Sequence, residues 1–221
     1  MKRLTATLVS LLAINMCFAA MLPESGRAND HEYVDMGLSV KWATCNVGAS
    51  TPEDYGDYFA WGEVATKSNY WLDTYSFRIS GEWFDETTFS KYNCTSGRGP
   101  VDNKARLEMS DDVANKKWGG SWRIPTQAEW EELRDNCNWT WTSVGDVEGY
   151  KVTSKKNGNS IFLPAAGGRV FDSLNKNQGS YWSSTLSKDD PNNASSIRFG
   201  PKEITVGIHG RHLGLSVRPV L

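Results

Sequence analysis

The sequence contains few cysteines. There are four in 221 residues, and Cys17 lies within an N-terminal apolar run. Cys45, Cys94 and Cys137 remain, so at most one internal disulfide can form, and its pairing stays open. A small domain held together mainly by disulfides is therefore excluded. The three cysteines are also far apart in the chain, unlike the close pairs typical of a zinc site.

The sequence also lacks a basic block and a second long apolar run. Its 24 Lys and Arg residues are balanced by 26 Asp and Glu residues, for a formal net charge of −2. This balance argues against a surface that follows the phosphates of a nucleic acid. Beyond the N-terminus no apolar stretch approaches the roughly 20 residues needed to cross a bilayer, so we expect no membrane insertion of the mature domain.

The N-terminus has the pattern of a secretory signal peptide. Lys2 and Arg3 precede the apolar run Leu4–Ala20, which ends in two small residues. We therefore predict a signal peptide at residues 1–20, a tether at 21–30, one domain at 31–221, and a secreted or cell-surface location. Lipid anchoring at Cys17 is disfavoured because Met16 stands where a small residue is expected.

Two short helices are predicted from local signals. In the first, Ser110–Asp112 precede the basic pair Lys116–Lys117 and Gly119–Gly120, an order that suits the helix dipole and a glycine stop. The second begins at Thr126, where Thr126–Glu129 forms a capping box after a proline.

The rest of the second half predicts β-structure. Alternating apolar residues flank the turn Lys156–Asn159 and the turn Gly200–Glu203, which indicates two hairpins. In addition, Gly37–Lys41 near the start is echoed by Gly214–Arg218 at the end. We interpret the echo as two similar strands that would suit a domain with paired termini.

Several sequence blocks carry a resemblance to a known family. The segment Trp118–Trp130, WGGSWRIPTQAEW, resembles the core motif of the Fibrobacter succinogenes major paralogous domain. Further blocks agree in order, from His31 to the C-terminus: Val34–Gly48, Tyr58–Glu63, Phe162–Arg169, Tyr181–Thr185 and Ser216–Val220. The resemblance implies an α+β, C-type-lectin-like fold with antiparallel sheets, two short helices, long irregular loops and paired termini. It implies no activity, because the family has no general assigned reaction.

The RIPTQAEW part of the same segment also resembles the sulfatase-modifying, formylglycine-generating enzymes, which share that fold. Their chemistry needs a pair of reactive cysteines late in the chain. No cysteine follows Cys137 here. We therefore do not expect an enzyme, and keep this reading as an alternative.

The C-terminal segment Tyr181–Leu221 is similar to that of variable proteins diversified by retroelements, several of which are adhesins. These hold a lectin-like scaffold constant and vary exposed residues. Within this resemblance, the alternation of side chains along the segment assigns scaffold roles to Ala194, Ile197, Phe199, Ile204, Val206, Arg211, Gly214 and Val217. It assigns displayed, ligand-binding roles to Ser196, Arg198, Gly200, Thr205, Ile208, His209, His212, Leu213 and Leu215.

The residues of this segment give a physical argument beside the resemblance. Ile208–Leu213 mixes apolar, cationic and imidazole groups between glycines, which is typical of a recognition loop on a rigid sheet. The alternative is an irregular crossover with two solvated histidines. His209 and His212 have a spacing that binds zinc on a helix, but Gly210 and Gly214 argue against a helix, so we predict no metal and no cofactor.

The turn Asp189–Asn193 is similar to the calcium-binding tripeptide of sugar-binding C-type lectins. Calcium prefers carboxylate and amide oxygens. In those lectins a Trp-Asn-Asp motif completes the site, whereas the corresponding strand here reads Ile197–Phe199 with Arg198 where a carboxylate is needed. We interpret the segment as a polar turn.

The ten tryptophans are the unusual feature of the composition. Five that lie in blocks of the resemblance are predicted to be core: Trp42, Trp118, Trp122, Trp130 and Trp182. Trp61, Trp71 and Trp83 lie in irregular segments, where exposed rings could stack on sugars and packing within the loops is favoured.

Together these observations predict an exported ligand-binding or adhesion module that acts without catalysis. Its expected partner is a protein or glycan on another surface. The alternatives are the enzyme named above and a structural subunit of a surface assembly such as a pilus.

Overall fold

The computed structural model describes residues 25–81, 86–176 and 178–221. The predicted signal peptide, Cys17, the first part of the predicted tether and Trp83 lie outside these ranges. In the first half of the domain the elements are β1 (Ser25–Ala28), β2 (His31–Asp35), β3 (Lys41–Ala43), β4 (Arg78–Ser80), β5 (Thr88–Phe89), α1 (Val113–Trp118) and α2 (Gln127–Asn136). The second half contains β6 (Cys137–Val144), β7 (Val147–Ser154), β8 (Ser160–Pro164), β9 (Gly168–Val170), β10 (Ser173–Asn175), β11 (Gly179–Leu186), β12 (Asn193–Gly200), β13 (Glu203–Gly210) and β14 (Gly214–Leu215).

The strands form small antiparallel sheets. The three-stranded sheets have the orders β1-β2-β3, β6-β7-β8, β10-β9-β14 and β11-β12-β13, and β4 pairs with β5. Two short helices complete the described part of the chain. The predicted α+β class with antiparallel sheets and two short helices is confirmed. No helix in the described ranges is long and apolar enough to span a membrane.

Both helices begin where the sequence predicts. The Asp112 carboxylate caps α1 by accepting hydrogen bonds from Ala114 N at 3.0 Å and Asn115 N at 3.2 Å. At α2 the capping box is present, because Thr126 Oγ1 accepts from Glu129 N and the Glu129 carboxylate accepts from Thr126 N. These contacts satisfy amide groups that the first turn of a helix leaves without partners.

The two predicted hairpins are also present. Strands β7 and β8 pair around the predicted Asn-Gly turn, from Gly149 opposite Pro164 to Thr153 opposite Ser160. Strands β12 and β13 pair along their whole length, with Gly200 opposite Glu203 at the turn.

The core of the described residues contains two large apolar clusters, on opposite faces of β11 and β12, and a smaller third cluster that includes Tyr58 and Tyr70. Trp182 and Ala194 contribute to the cluster that contains Trp61, which we call the Trp61 cluster. Tyr181 and Ile197 contribute to the cluster that contains Trp130, which we call the Trp130 cluster. Because both faces of these strands are covered, the first six residues of β11 are all buried, with no alternation. All five tryptophans predicted to be core are buried, as is Trp61.

The two ends of the domain are joined by backbone hydrogen bonds. Lys41 N donates to Leu221 O at 3.2 Å, Leu221 N donates back to Lys41 O at 2.9 Å, and Ala43 N donates to Pro219 O at 2.9 Å. The predicted pairing of the termini is thus confirmed. Residues Ser25–Ala28, assigned from the sequence to the tether, form β1 and pair with β2.

Candidate functional site

The β12–β13 hairpin carries most of the predicted ligand-binding residues. Its strands alternate strictly, so Ile197 and Phe199 of β12 and Ile204 and Val206 of β13 belong to the Trp130 cluster or pack against it. The other predicted scaffold residues that are buried are Ala194, Arg211, Gly214 and Val217. The hairpin is therefore anchored in the interior along one face, which gives a rigid support for exposed side chains.

Two of the residues predicted to be displayed are in the interior. Ser196 is buried because the Trp61 cluster covers its face of the sheet, and its Oγ lies 2.7 Å from His209 Nδ1. Leu215 belongs to the Trp61 cluster itself, since β14 lies between β9 and the backbone of Phe59. The expectation that Ser196 and Leu215 present their side chains to a ligand is corrected accordingly.

The exposed residues of the hairpin lie on two faces. Arg198 and Thr205 form a cross-strand pair on one face, where the Arg198 guanidinium is 3.9 Å from the Glu203 carboxylate. Ile208 projects from the opposite face and is 55% exposed. Gly200 lies at the turn, partly exposed. The nine predicted residues therefore do not form one continuous patch.

A groove lies beside Ile208, between α2 and β13. It has a volume of about 500 Å³, and its lining includes Glu131 of α2, the Lys188–Asp189 turn, and Gly207 and Ile208. Strand β13 is at the edge of its sheet, with β12 as its described partner. An edge strand leaves backbone amide and carbonyl groups available to a further chain. Here an apolar side chain and charges of both signs meet at one surface.

The predicted histidines are poorly suited to carry charge at neutral pH. Burial, with a smaller contribution from the charge of Arg198, lowers the pKa of His209. Burial also lowers the pKa of His212 to about 4, and Lys67 adds repulsion. His209 packs edge-on against Trp182, with ring centroids 6.4 Å apart. His209 is thus part of the support beneath the surface, whereas His212 and Leu213 are partly exposed in the turn that follows β13.

The segment Asp189–Asn193 forms a hydrogen-bonded turn. One Asp190 carboxylate oxygen accepts from Asn192 N at 2.9 Å, and the other accepts from Asn193 Nδ2 at 2.7 Å. These bonds use the Asp190 carboxylate to hold the turn itself. Within the described ranges no group of three or more His, Cys, Asp or Glu side chains could hold a metal ion.

The three cysteines within the described ranges, Cys45, Cys94 and Cys137, are free thiols. Burial raises the pKa of Cys137 to about 11, so this thiol stays protonated at neutral pH. A protonated, buried thiol is a poor nucleophile.

Phe171 is an exposed aromatic residue that the sequence did not single out. It is 40% exposed, and its ring stacks on that of Trp71, which is 48% exposed, with centroids 3.8 Å apart. Trp71 was expected to pack within its loop. The available signal was weak: Phe171 follows a short Gly-containing strand, at a position where a hairpin turn usually places a small residue.

Comparisons of the chain with family models, curated proteins and solved structures find no match.

Proposed function

We propose that this protein is an exported, non-catalytic binding module that recognises a protein or glycan on another surface through its C-terminal hairpin. The observation that carries the proposal is that the hairpin combines exposed side chains with buried ones. Arg198, Thr205 and Ile208 are exposed, while Ile197, Phe199, Ile204 and Val206 of the same strands belong to the Trp130 cluster or pack against it, and Ala194 belongs to the Trp61 cluster. Preorganised side chains of this kind bind with little loss of conformational entropy.

The proposed scaffold is a C-type-lectin-like fold. Antiparallel sheets, two short helices and the hydrogen bonds between residues 41–43 and 219–221 support it. The long irregular stretches between β3 and β4 and between β5 and α1 fit the loop region of that fold.

The recognition surface is proposed to include the groove between α2 and β13. Ile208 supplies an apolar anchor, and Glu131 and Lys188 supply polar groups around it. Interfaces commonly combine a central apolar contact with a polar rim.

The proposal includes diversification by a retroelement, restricted to the positions of the segment that are exposed. Variation would be tolerated at Arg198, Thr205, Ile208, His212 and Leu213, and not at the buried Ser196 or Leu215. A reverse transcriptase gene and a near-identical template repeat beside the coding sequence would support it. A source genome with neither would contradict it.

The binding proposal is tested by replacing Arg198 and Thr205 with Ala and Ile208 with Ser in one variant. Purified wild-type and variant proteins are applied to glycan arrays and to cell surfaces. We expect the wild type to bind and the variant to lose binding, with a melting temperature within about 3 °C of the wild type because all three side chains are exposed.

The matched control is Ile79→Ser, since Ile79 on β4 is 53% exposed, close to the value for Ile208. The control should bind as the wild type does. Undiminished binding by the triple variant, or no binding by the wild type to any array or cell, would overturn the proposal.

A further inference from the structure

A second cavity lies away from the groove between α2 and β13. It has a volume of about 500 Å³, within the roughly 300–1,000 Å³ of small-molecule sites. Its lining combines residues of the irregular segment 56–70 with residues of the β9–β10 hairpin. The two parts are held together by a 2.8 Å hydrogen bond from Tyr70 N to Phe171 O.

The floor of the cavity is rigid. Tyr70 donates its hydroxyl to Tyr58 O at 2.6 Å, and Tyr58 donates its own to Ala166 O. Burial raises the pKa of both phenols, that of Tyr58 to about 12. Both rings are therefore neutral and fixed, and their hydroxyls are already used by the protein.

The polar groups around this floor are balanced in charge. Asp57 and Asp172 contribute carboxylates, and Lys67 and Arg169 contribute cations. The Arg169 guanidinium lies 5.4 Å from the centre of the Tyr58 ring, and Arg169 makes no ion pair with any residue in the described ranges. Such a set offers several donors and acceptors without a net charge, which favours a neutral polyhydroxylated ligand over an ion.

An exposed aromatic pair is contiguous in sequence with residues that line the cavity. Trp71 directly follows the lining residue Tyr70, and Phe171 directly precedes the lining residue Asp172. Their rings stack at 3.8 Å with an angle of 22° between planes. Aromatic faces of this kind suit the apolar face of a sugar ring, while planar carboxylate and guanidinium groups suit its hydroxyls.

The backbone at Phe171 is in a conformation that is unfavourable for a bulky side chain. Val170 pairs with Ser173, so Phe171 and Asp172 form a two-residue hairpin turn. Phe171 has φ of 59°, a left-handed conformation that a glycine adopts without steric cost and that is strained for a bulky residue. Strain of this kind at an exposed position is a recurrent property of binding sites.

From these observations we infer that the cavity bounded by Tyr58, Tyr70 and Arg169, together with the Trp71–Phe171 pair, binds a neutral saccharide. The aromatic pair stacks on the sugar ring, and Asp57, Asp172 and Arg169 bond its hydroxyls. The site does not depend on the β12–β13 hairpin, so the two proposals can fail separately.

The test is calorimetric titration of the full protein with the methyl glycosides of glucose, galactose, mannose and N-acetylglucosamine, and with short neutral oligosaccharides of each. We expect at least one to bind. Phe171→Gly and Trp71→Ala should each weaken that affinity by about tenfold or more, because a stacking face is lost.

Thermal unfolding separates this role from a structural one. Phe171→Gly should melt at or above the wild-type temperature, since glycine relieves the strained φ. Val101→Ser, at a position that is 48% exposed and outside the cavity lining, is the control and should bind the saccharide as the wild type does. No binding of any neutral saccharide by the wild type, or unchanged affinity in Phe171→Gly, would overturn the inference. Preferential binding of the methyl glycoside of glucuronic acid would also overturn it.

Discussion

At the scale of single residues, two interior arginines stand out. The Arg211 guanidinium donates to the carbonyls of Lys91, Tyr92 and Pro191, and it lies over the ring of Phe89. Arg218 likewise bonds carbonyls of the interior. Each planar group is thus satisfied by fixed backbone dipoles, which makes it part of the frame on which the loops rest.

Arg218→Lys should destabilise the protein strongly. The guanidinium donates to Asn46 Oδ1 at 2.8 Å, to Ala43 O and Phe162 O at 3.0 Å each, and to Thr44 O. An ammonium group has fewer donors in a different geometry, so a loss of about 3 kcal/mol in the free energy of unfolding is expected. Urea denaturation measures it.

Arg198→Lys is the matched control, because that arginine is exposed. Its free energy of unfolding should remain within about 0.5 kcal/mol of the wild type. An equally small effect of Arg218→Lys would contradict the structural role assigned to the interior guanidinium.

The His212 imidazole should make stability depend on pH in acid. Its pKa is about 4 in the folded protein, below the ordinary 6.5 of the unfolded chain. Between these values the unfolded state binds more protons, so stability is complete above pH 6.5 and falls as the pH drops towards 4. The loss should reach about 2–3 kcal/mol.

His212→Asn should flatten this dependence in urea titrations between pH 4 and pH 7. A residual slope is expected, since burial also lowers the pKa of His31 and of His209. Identical slopes in the variant and the wild type would show that His212 is not responsible.

Which individual side chains are exposed was only partly predictable. Alternation placed Arg198 and Thr205 on the outside, and the structure agrees. It failed for Ser196 and Leu215 because their outward faces are covered by segments distant in sequence. A strand pattern shows which residues share a face, and it does not show what packs on that face.

At the scale of elements, the helices and hairpins could be predicted from the sequence because their signals act within a few residues. The capping box at Thr126 and the Asp112 cap place the helices, and turn residues place the hairpins. The irregular segments have no period to interpret. Hence Trp61 and Trp71 looked alike in the sequence, although one is buried and the other is half exposed.

Thr126→Ala should cost about 1 kcal/mol of unfolding free energy, because Glu129 N at the start of α2 loses its acceptor. Chemical denaturation monitored by circular dichroism gives the value. Thr95→Ala, at an exposed loop position, is the control and should have little effect. A neutral Thr126→Ala would mean that the Arg123–Glu129 ion pair alone fixes this end of the helix.

At the scale of the whole molecule, the last residues complete the domain. Val220 is fully buried in the Trp130 cluster, and its backbone exchanges hydrogen bonds with Arg123. The C-terminal segment therefore joins β3 to the segment that leads into α2.

Deleting Pro219–Leu221 should lower the melting temperature by about 10 °C or more. The deletion exposes an apolar face and removes the backbone partners of Lys41, Ala43 and Arg123. Differential scanning calorimetry measures the shift. Substituting Leu221, which is partly exposed, by Ser is the milder control. A truncated protein that melts near the wild-type temperature would contradict this role of the C-terminus.

The Arg218 contacts also determine when the domain can fold. The arginine joins Asn46 and Ala43, which precede it by 172 and 175 positions in the sequence. Closing so long a loop costs entropy before the contacts compensate for it, and topologies rich in distant contacts fold slowly. During synthesis the residues around Asn46 and Ala43 remain without these partners until Arg218 has been added. The part of the interior that rests on Arg218 therefore forms late in the folding of the domain.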